Sequence, residues 1–259
     1  MKKIIISGYL FFLFSIGCSQ VIAAEKTELL KTDWSFNGLF GKFDRGSLQR
    51  GYQVYSEVCA SCHSMKYLSY RNLSEKGGPE FSIEQAKAIA ASFEITDGPN
   101  ADGEMFERPG KLSDKFLMPY ANEKEAQAAN GGAYPPDMSV LAKARSGGAD
   151  YLYSVLLGYE EPPSGITLDD GVYYNKYIYI NNIKMAKPLD DDLVEYSDGT
   201  IASEEQLAKD VVTFLVWAAE PHLETRHRMG FKVIVYLIIL TILVYFSMKK
   251  IWSRIESEV

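Results

Sequence analysis

Cys59-Ala60-Ser61-Cys62-His63 is the segment from which the rest of this sequence takes its meaning. It is a C-x-x-C-H pattern, the arrangement that attaches a c-type haem. The chemistry explains the spacing, since each thiol adds to one vinyl group of the porphyrin and forms a thioether. In a helical segment, residues three apart are neighbours on one face, so both sulfurs reach the same macrocycle. The adjacent His63 then offers a ring nitrogen to the iron, the usual proximal ligation. Two other uses of a cysteine pair compete. Zinc needs two further ligands, and His222 with His227 have a permitted internal spacing but lie far beyond the usual finger-length gap. A thioredoxin-like dithiol needs a βαβ setting, and none precedes Cys59. Covalent haem is the reading that the pattern supports.

The chain has 259 residues, a formal charge of −7 and 47% hydrophobic residues. That suits one domain of roughly 200 residues with a sizeable core, plus short membrane segments at the ends. No nucleic-acid partner is expected of so acidic a chain. Residues 1–24 read as a cleaved secretory signal: Lys2 and Lys3 form the charged start, Ile4 to Ile16 is nearly all apolar, and Ala23-Ala24 offers small residues for cleavage. Ser15-Ile16-Gly17 is a poor lipoprotein signal before Cys18. A mitochondrial transit peptide would be amphipathic and arginine-rich, which this segment is not. A bacterial export signal fits best. Its removal leaves Cys59 and Cys62 as the only cysteines, too few for a disulfide framework beside a haem. A macrocycle bonded to the chain would help hold such a domain together.

Glu25 to Asp44 reads as an extended, packed arm, with Trp34, Phe36, Phe40 and Phe43 set among glycines. From Ser47, a candidate cap, Leu48, Gly51, Tyr52, Tyr55, Val58 and Cys59 recur at helical spacing. This helix delivers the motif at its C-terminal end. Gly51 in mid-helix costs about 1 kcal/mol relative to alanine, which points to close approach of another helix. Beyond His63, Met65, Tyr67, Leu68 and Tyr70 are expected to line one wall of a haem pocket. Ser82 to Phe93 is a short helix with a capping-box start at Ser82 and Gln85. Thr96 to Ala129 reads as a long loop, broken by Asp97-Gly-Pro-Asn100, Asp102-Gly103, Pro109-Gly110 and Pro119. Short helices follow at Ser139–Arg145 and Asp150–Leu157, then the tyrosine-rich Val172–Ile180, a strand or an aromatic pocket edge. Ser203 and Gln206 form a second capping box that opens an amphipathic helix with Leu207, Val211, Phe214, Leu215 and Ala218 on one side, stopped by Pro221. Its crossing with the motif-bearing helix at Gly51 is an expectation from pattern.

Val233 to Met248 is an almost unbroken apolar run between Lys232 and Lys249-Lys250. With Phe231 included and Lys232 snorkelling it reaches about the length that spans a bilayer. Basic residues balance on the two sides, so orientation rests on the export signal: residues 25–224 outside as the haem domain, 225–250 as the anchor and 251–259 as a cytoplasmic tail. For the sixth iron position, His222 and His227 adjoin the anchor and read as interfacial side chains. Met105, Met118, Met138 and Met185 remain as distal candidates, and spacing does not choose among them.

Val54-Tyr-Ser-Glu-Val-Cys-Ala-Ser-Cys-His-Ser-Met-Lys-Tyr-Leu-Ser-Tyr-Arg71 resembles the cytochrome c1 family, the haem subunit of the quinol–cytochrome c reductase. So do Asp97-Gly-Pro-Asn-Ala-Asp-Gly-Glu-Met-Phe106, Arg108-Pro-Gly-Lys-Leu-Ser-Asp114, Lys143-Ala-Arg-Ser-Gly-Gly148 and Gly158-Tyr-Glu-Glu-Pro-Pro163. Ala208 to Pro221, then Arg228-Met-Gly and the apolar anchor, continue the likeness to the end of the chain. The resemblance implies a mainly α, class I cytochrome c-like domain with long loop insertions and one C-terminal transmembrane helix. It implies one covalent haem c on Cys59 and Cys62, with His63 and Met185 as iron ligands and Arg145 pairing with a propionate. Lys184 and Lys187 flank Met185 here, where more neutral residues are expected. The implied function is a periplasm-facing, single-pass electron carrier of a bacterial inner membrane. It takes electrons from a Rieske iron–sulfur protein and gives them to a cytochrome c, beside cytochrome b in the lipid bilayer. The competing functions are a haem enzyme or gas or peroxide sensor with an open iron position, and a haem subunit of a terminal oxidase. Acidic groups at Glu160-Glu161, Asp169-Asp170, Asp190-Asp191-Asp192 and Glu204-Glu205 would steer a basic acceptor.

Overall fold

Helix α1 (Arg45–Glu57) begins after Asp44, whose carboxylate accepts the Ser47 amide at 2.7 Å. The cap is therefore Asp44 and not Ser47. Asp44 has the extended backbone an N-cap requires and places negative charge at the positive end of the helix dipole. Ser47 is already inside the helix, and its hydroxyl accepts from Arg50 instead. The structure, a computed structural model, describes residues 27–256, so the expected signal over 1–24 and the end of the tail lie outside it.

Leu48, Gly51, Tyr52, Val54 and Tyr55 form the buried face of α1. That face lies against α6 (Glu204–Ala219), whose Leu207, Val211, Val212, Phe214, Leu215 and Trp217 are buried in turn. Each such aliphatic or aromatic side chain stabilises the fold by about 1.5–3 kcal/mol on burial. The helices meet at Gly51, as the pattern predicts: a Cβ there would lie 2.1 Å from the Asp210 carbonyl oxygen. At the adjacent position, Arg50 reaches across to Asp210 with two hydrogen bonds, Nε–Oδ2 at 2.8 Å and Nη2–Oδ1 at 3.1 Å. Asp210 is fully buried, and Gln206 donates a further bond to it at 2.9 Å. Only half of the second capping box forms as a result. Ser203 accepts from the Gln206 amide, but the Gln206 side chain is committed to Asp210.

The core grows from this crossing as an aromatic cluster in which Tyr52, Tyr55 and Phe214 pack with Phe116, Tyr70 and Trp217. Around it stand α2 (Ile83–Ala91), with the full Ser82–Gln85 capping box, and the short helices α3 (Glu123–Ala129) and α4 (Leu141–Ala144). Helix α5 (Gly148–Leu157) packs on α6 and receives the N-terminal arm. There the Trp34 indole donates to Asp150 at 2.7 Å, and the Leu30 amide to Ser154 at 2.9 Å. Trp34, Phe36 and Phe43 of the arm are buried and packed together, as expected, while Phe40 is exposed.

Residues 96–129 are more ordered than a loop. Strands β1 (Glu94–Asp97) and β2 (Phe106–Pro109) pair antiparallel, and α3 closes the segment. Arg108 ties the hairpin by bonding Asp97 at 2.5 Å and Asp114 at 2.6 Å. The tyrosine-rich stretch supplies β3 (Tyr173–Tyr174), paired with β4 (Asn182–Ile183). The architecture is mainly α with long connecting segments, as the sequence implies. It ends in α7 (Leu223–Glu256), a helix of 34 residues that carries a candidate membrane span and is exposed at every residue from 231 to 253.

Candidate haem-binding site

Helix α1 ends at Glu57, and the motif continues as a tight 3-10 turn, Cys59–Ser61. Cys62 and His63 both donate their amides to the Cys59 carbonyl, at 3.1 and 2.9 Å. A 3-10 turn eclipses residues three apart, which sets Cys59 and Cys62 on one side. Both are half-buried and free. Burial pushes the Cys59 thiol up to about 12, helped by the neighbouring Cys62. A redox dithiol needs the opposite shift. Among the described residues, no group of three or more His, Cys, Asp or Glu side chains converges at metal-site spacing.

His63 is buried, and its ring Nδ1 lies 2.9 Å from the Pro136 carbonyl oxygen. A carbonyl only accepts, so Nδ1 carries the proton and Nε2 keeps its lone pair. Burial lowers the imidazole's affinity for a second proton, more than the Pro136 bond raises it. The result is a neutral, oriented imidazole of the kind that ligates a metal through Nε2. Pro136 is held in place by its neighbour. Asp137 accepts from the Ser64 hydroxyl at 2.8 Å, the Lys66 amide at 3.0 Å and the Ser139 amide at 3.0 Å. Burial works to raise the Asp137 pKa, but these donors together hold it below the usual carboxylate range. The Met138 amide adds a bond to the Ser64 carbonyl.

Of the expected wall residues, Met65, Leu68 and Tyr70 are buried in the core, and Tyr67 is exposed. Of the four candidate methionines, Met138 is buried on the Ser64 segment beside the proximal residue. Met105 and Met118 are exposed, and Met185 is half-buried in the bend after β4. Three contacts fix that bend. The Tyr159 hydroxyl donates to the Met185 carbonyl at 3.1 Å, Lys184 donates to the Gly131 carbonyl at 2.9 Å, and Lys187 pairs with Asp190 and Glu204. The Lys184 bond joins the Met185 bend to the loop that supplies Pro136, and the Lys187 charge is met by two carboxylates. Beneath them Asn175, fully buried, donates to the Val155 carbonyl at 2.7 Å and accepts from the Tyr177 amide at 3.1 Å, pinning the β3–β4 connection to the end of α5. Arg145 follows α4, exposed, with its guanidinium bonded only to the neighbouring Ala144 carbonyl among the described residues.

The donor set fits a covalently attached haem: two thiols on one side of a tight turn, a neutral imidazole with its outer nitrogen already satisfied, and a half-buried thioether on a braced bend. Sequence reasoning missed the braces, Pro136, Asp137, Tyr159 and Asn175. Pro135-Pro136 was visible only as a loop boundary. Tyr159 lies within a stretch quoted for the resemblance, but nothing in it points to Met185.

Comparison with known proteins identifies the family. The sequence pattern that describes the Cytochrome C1 family matches residues 34–255. An Arabidopsis thaliana relative, named "Cytochrome c1 1, heme protein, mitochondrial", is 48% identical over 95% of this chain and 79% of its own length. The "Cytochrome c1" of Rhodospirillum rubrum is 44% identical over 94% of each chain. A Bradyrhizobium diazoefficiens protein named "Cytochrome b/c1" is 52% identical over 85% of this chain, which spans only 35% of that longer protein. With matches that run from the N-terminal arm to the apolar helix and take in the cysteine pair, the chain belongs to the cytochrome c1 family.

Proposed function

We propose that this chain is the haem-bearing, membrane-anchored electron carrier of a cytochrome bc1-type reductase. It takes single electrons from a Rieske iron–sulfur protein and passes them to a cytochrome c, with cytochrome b as its neighbour in the bilayer. The observation that carries this reading is His63, held neutral and aimed by the Pro136 carbonyl directly after a cysteine pair on a tight turn. Cys59 and Cys62 would hold one haem c covalently, His63 and Met185 would supply its iron ligands, and Arg145 would pair with a propionate. When bound, the haem supplies a one-electron couple at a closed iron site. The chain's own residues set the terms of that couple. Pro136 and Asp137 fix the imidazole, while Tyr159 and Lys184 brace the methionine bend, so neither ligand must move when charge changes. A methionine opposite a histidine favours a high potential.

Residues 1–24 are the export signal, 25–224 the periplasmic haem domain, 225–250 the inner-membrane anchor and 251–259 the cytoplasmic tail. An exposed apolar helix continuous with the domain supports the anchor. Anchoring raises the effective concentration of the haem next to its donor. The proposed steering charges are Glu161, Asp169, Asp170, Asp191, Asp192 and Glu205, exposed and outside any ion pair among the described residues; Glu160, Asp190 and Glu204 already have lysine partners.

The test is spectroscopic. The purified full chain should give a haemochrome of the thioether-bonded type, keep its pigment in acidic acetone, and resist carbon monoxide. Met185→Leu should keep the pigment, lower the potential and bind carbon monoxide. A low-spin spectrum unchanged by that substitution rejects Met185 as the ligand; a colourless protein rejects the whole reading.

A further inference from the structure

Gly38-Leu39-Phe40-Gly41 forms a turn in the N-terminal arm whose two central residues are large and apolar. Central turn positions usually hold Gly, Pro, Asn, Asp or Ser. Here Leu39 is 60% exposed and Phe40 70% exposed. The turn is nonetheless rigidly built. Gly41 donates its amide to the Gly38 carbonyl, Lys42 to Ser35 and Asn37 to Trp34. Gly38 takes φ +82°, and a side chain at Gly41 would collide with the Phe36 carbonyl at 2.2 Å. The base of the turn is the buried Trp34–Phe36–Phe43 cluster. A fold that spends this much order to hold two apolar side chains outward gives them a surface to meet.

The position of the turn identifies that surface. The Phe40 ring packs edge-on against Phe231 with centroids 6.0 Å apart. Phe231 is where the apolar run of α7 begins, so Phe40 lies level with the first residues of the membrane span. Lys42, Arg228 and Lys232 are exposed close by in sequence to these two aromatics, where lipid headgroups would accept them. We propose that the Leu39–Phe40 turn is a second membrane contact, a wedge that enters the headgroup–acyl boundary beside the anchor. It rests on the reading of α7 as a span, and its occupant is lipid because the patch is continuous, through Phe231, with the lipid-facing helix. A turn and a helix touching the bilayer together restrict the tilt of the domain toward the membrane surface more than one helix can alone.

Site-directed spin labelling tests this. In the exported, haem-loaded protein, whose Cys59 and Cys62 are taken up by the haem, single cysteines are introduced as Leu39→Cys, Phe40→Cys, Leu240→Cys in mid-span and Ala101→Cys on an exposed loop. Each labelled protein is placed in phosphatidylcholine vesicles, and collisions with oxygen and with a water-soluble nickel chelate are compared. The oxygen-to-nickel ratio at 39 and 40 should stand severalfold above that at 101 and approach that at 240. Ratios at 39 and 40 equal to that at 101, with 240 lipid-exposed, overturn the wedge and leave the anchor standing. If 240 itself behaves like 101, the spanning reading fails first. Labels at 39 and 40 that neither reagent reaches would mean a protein covers the turn, and this also overturns the proposal.

Discussion

Replacing Gly51 by alanine probes the contact on which the domain is built. The added Cβ would lie 2.1 Å from the Asp210 carbonyl oxygen, 2.7 Å from its carbonyl carbon and 2.8 Å from the Phe214 Cβ. Carbon and oxygen normally approach to about 3.3 Å, so the overlap is about 1.2 Å. None of the three atoms can turn aside, because two are backbone and the third is a Cβ. The helices must part, and overpacking of this kind costs about 1–3 kcal/mol. Alanine returns about 1 kcal/mol of helix propensity. With a rigid obstacle the steric cost lies at its upper end, and the net loss is about 2 kcal/mol. For a domain of roughly 200 residues that lowers Tm by about 4–8 °C.

The assay is thermal unfolding of the full chain in detergent by far-ultraviolet circular dichroism, with Gly46→Ala as control. Gly46 lies in the same helix, but a Cβ there meets only the flexible end of Arg50, at 3.2 Å, and the Asp44 carboxylate, at 3.4 Å. That control should be neutral or stabilising by up to about 1 kcal/mol. If Gly51→Ala also leaves Tm unchanged or raises it, propensity has won over packing and the crossing is looser than described.

Asp210→Ala should destabilise by about 3 kcal/mol, the lower end for a broken buried pair because Arg50 keeps Asp198; denaturant titration measures it, and a loss below 1 kcal/mol contradicts the assignment. Hydrogen bonds from Arg108, and for Asp97 also from the Gly98 amide, hold Asp97 and Asp114 below the ordinary carboxylate range. Their contribution to the β1–β2 hairpin is therefore fully present above about pH 4 and lost as pH falls through the depressed values. Proteolysis within residues 98–105 should rise on acidification with an acid-tolerant protease, and Arg108→Ala should remove that pH dependence. Tyr159→Phe deletes one hydrogen bond to the Met185 bend, worth about 0.5–1.5 kcal/mol. Carbon monoxide affinity of the reduced protein should rise about two- to twelvefold; an unchanged affinity means that the hydroxyl does not brace the ligand.

What the sequence revealed and what it hid follow from the range of the interactions. The cysteine–histidine motif is legible because covalent attachment to one macrocycle fixes its spacing. Helices α1 and α6 and their crossing are legible because Leu48, Tyr52 and Tyr55, like Leu207, Val211 and Phe214, repeat at the helical period, and Gly51 marks the close approach. The β1–β2 hairpin escaped because its strands have four residues each, both largely exposed, with eight residues between them. It is set by Arg108 finding Asp97 and Asp114, which periodicity does not detect. Helix α3 has seven residues, too few for an apolar stripe to declare itself. The site braces were hidden for a different reason: Pro136 meets His63 across 73 residues, and Tyr159 meets Met185 across 26. Such pairings belong to the folded chain alone.

The same helix that carries the motif also meets α7, the proposed anchor, and this gives the proposed function its structural logic. At the start of α1, Arg45 bonds Glu224 in the first turn of α7 at 2.9 Å, Glu80 at 3.1 Å and the Gly77 carbonyl at 3.2 Å. The Phe43 amide donates to the same Glu224, and Leu223 is buried. At the other end of α1, 13 residues on, the chain turns into Cys59. A helix of that length extends about 20 Å. Helix α1 is thus a strut between the anchor and the cysteine pair, stiffened at mid-length by the Gly51 crossing and the Arg50–Asp210 pair. A flexible linker would spread the motif over a volume set by its root-mean-square length. With α7 as the proposed anchor, a strut would hold it at one height above the bilayer, so the gain in effective concentration would be concentrated where a membrane-bound donor could use it. On this argument the buried arginine–aspartate pair, outside the proposed ligand set, would serve the proposed electron transfer by keeping the strut straight.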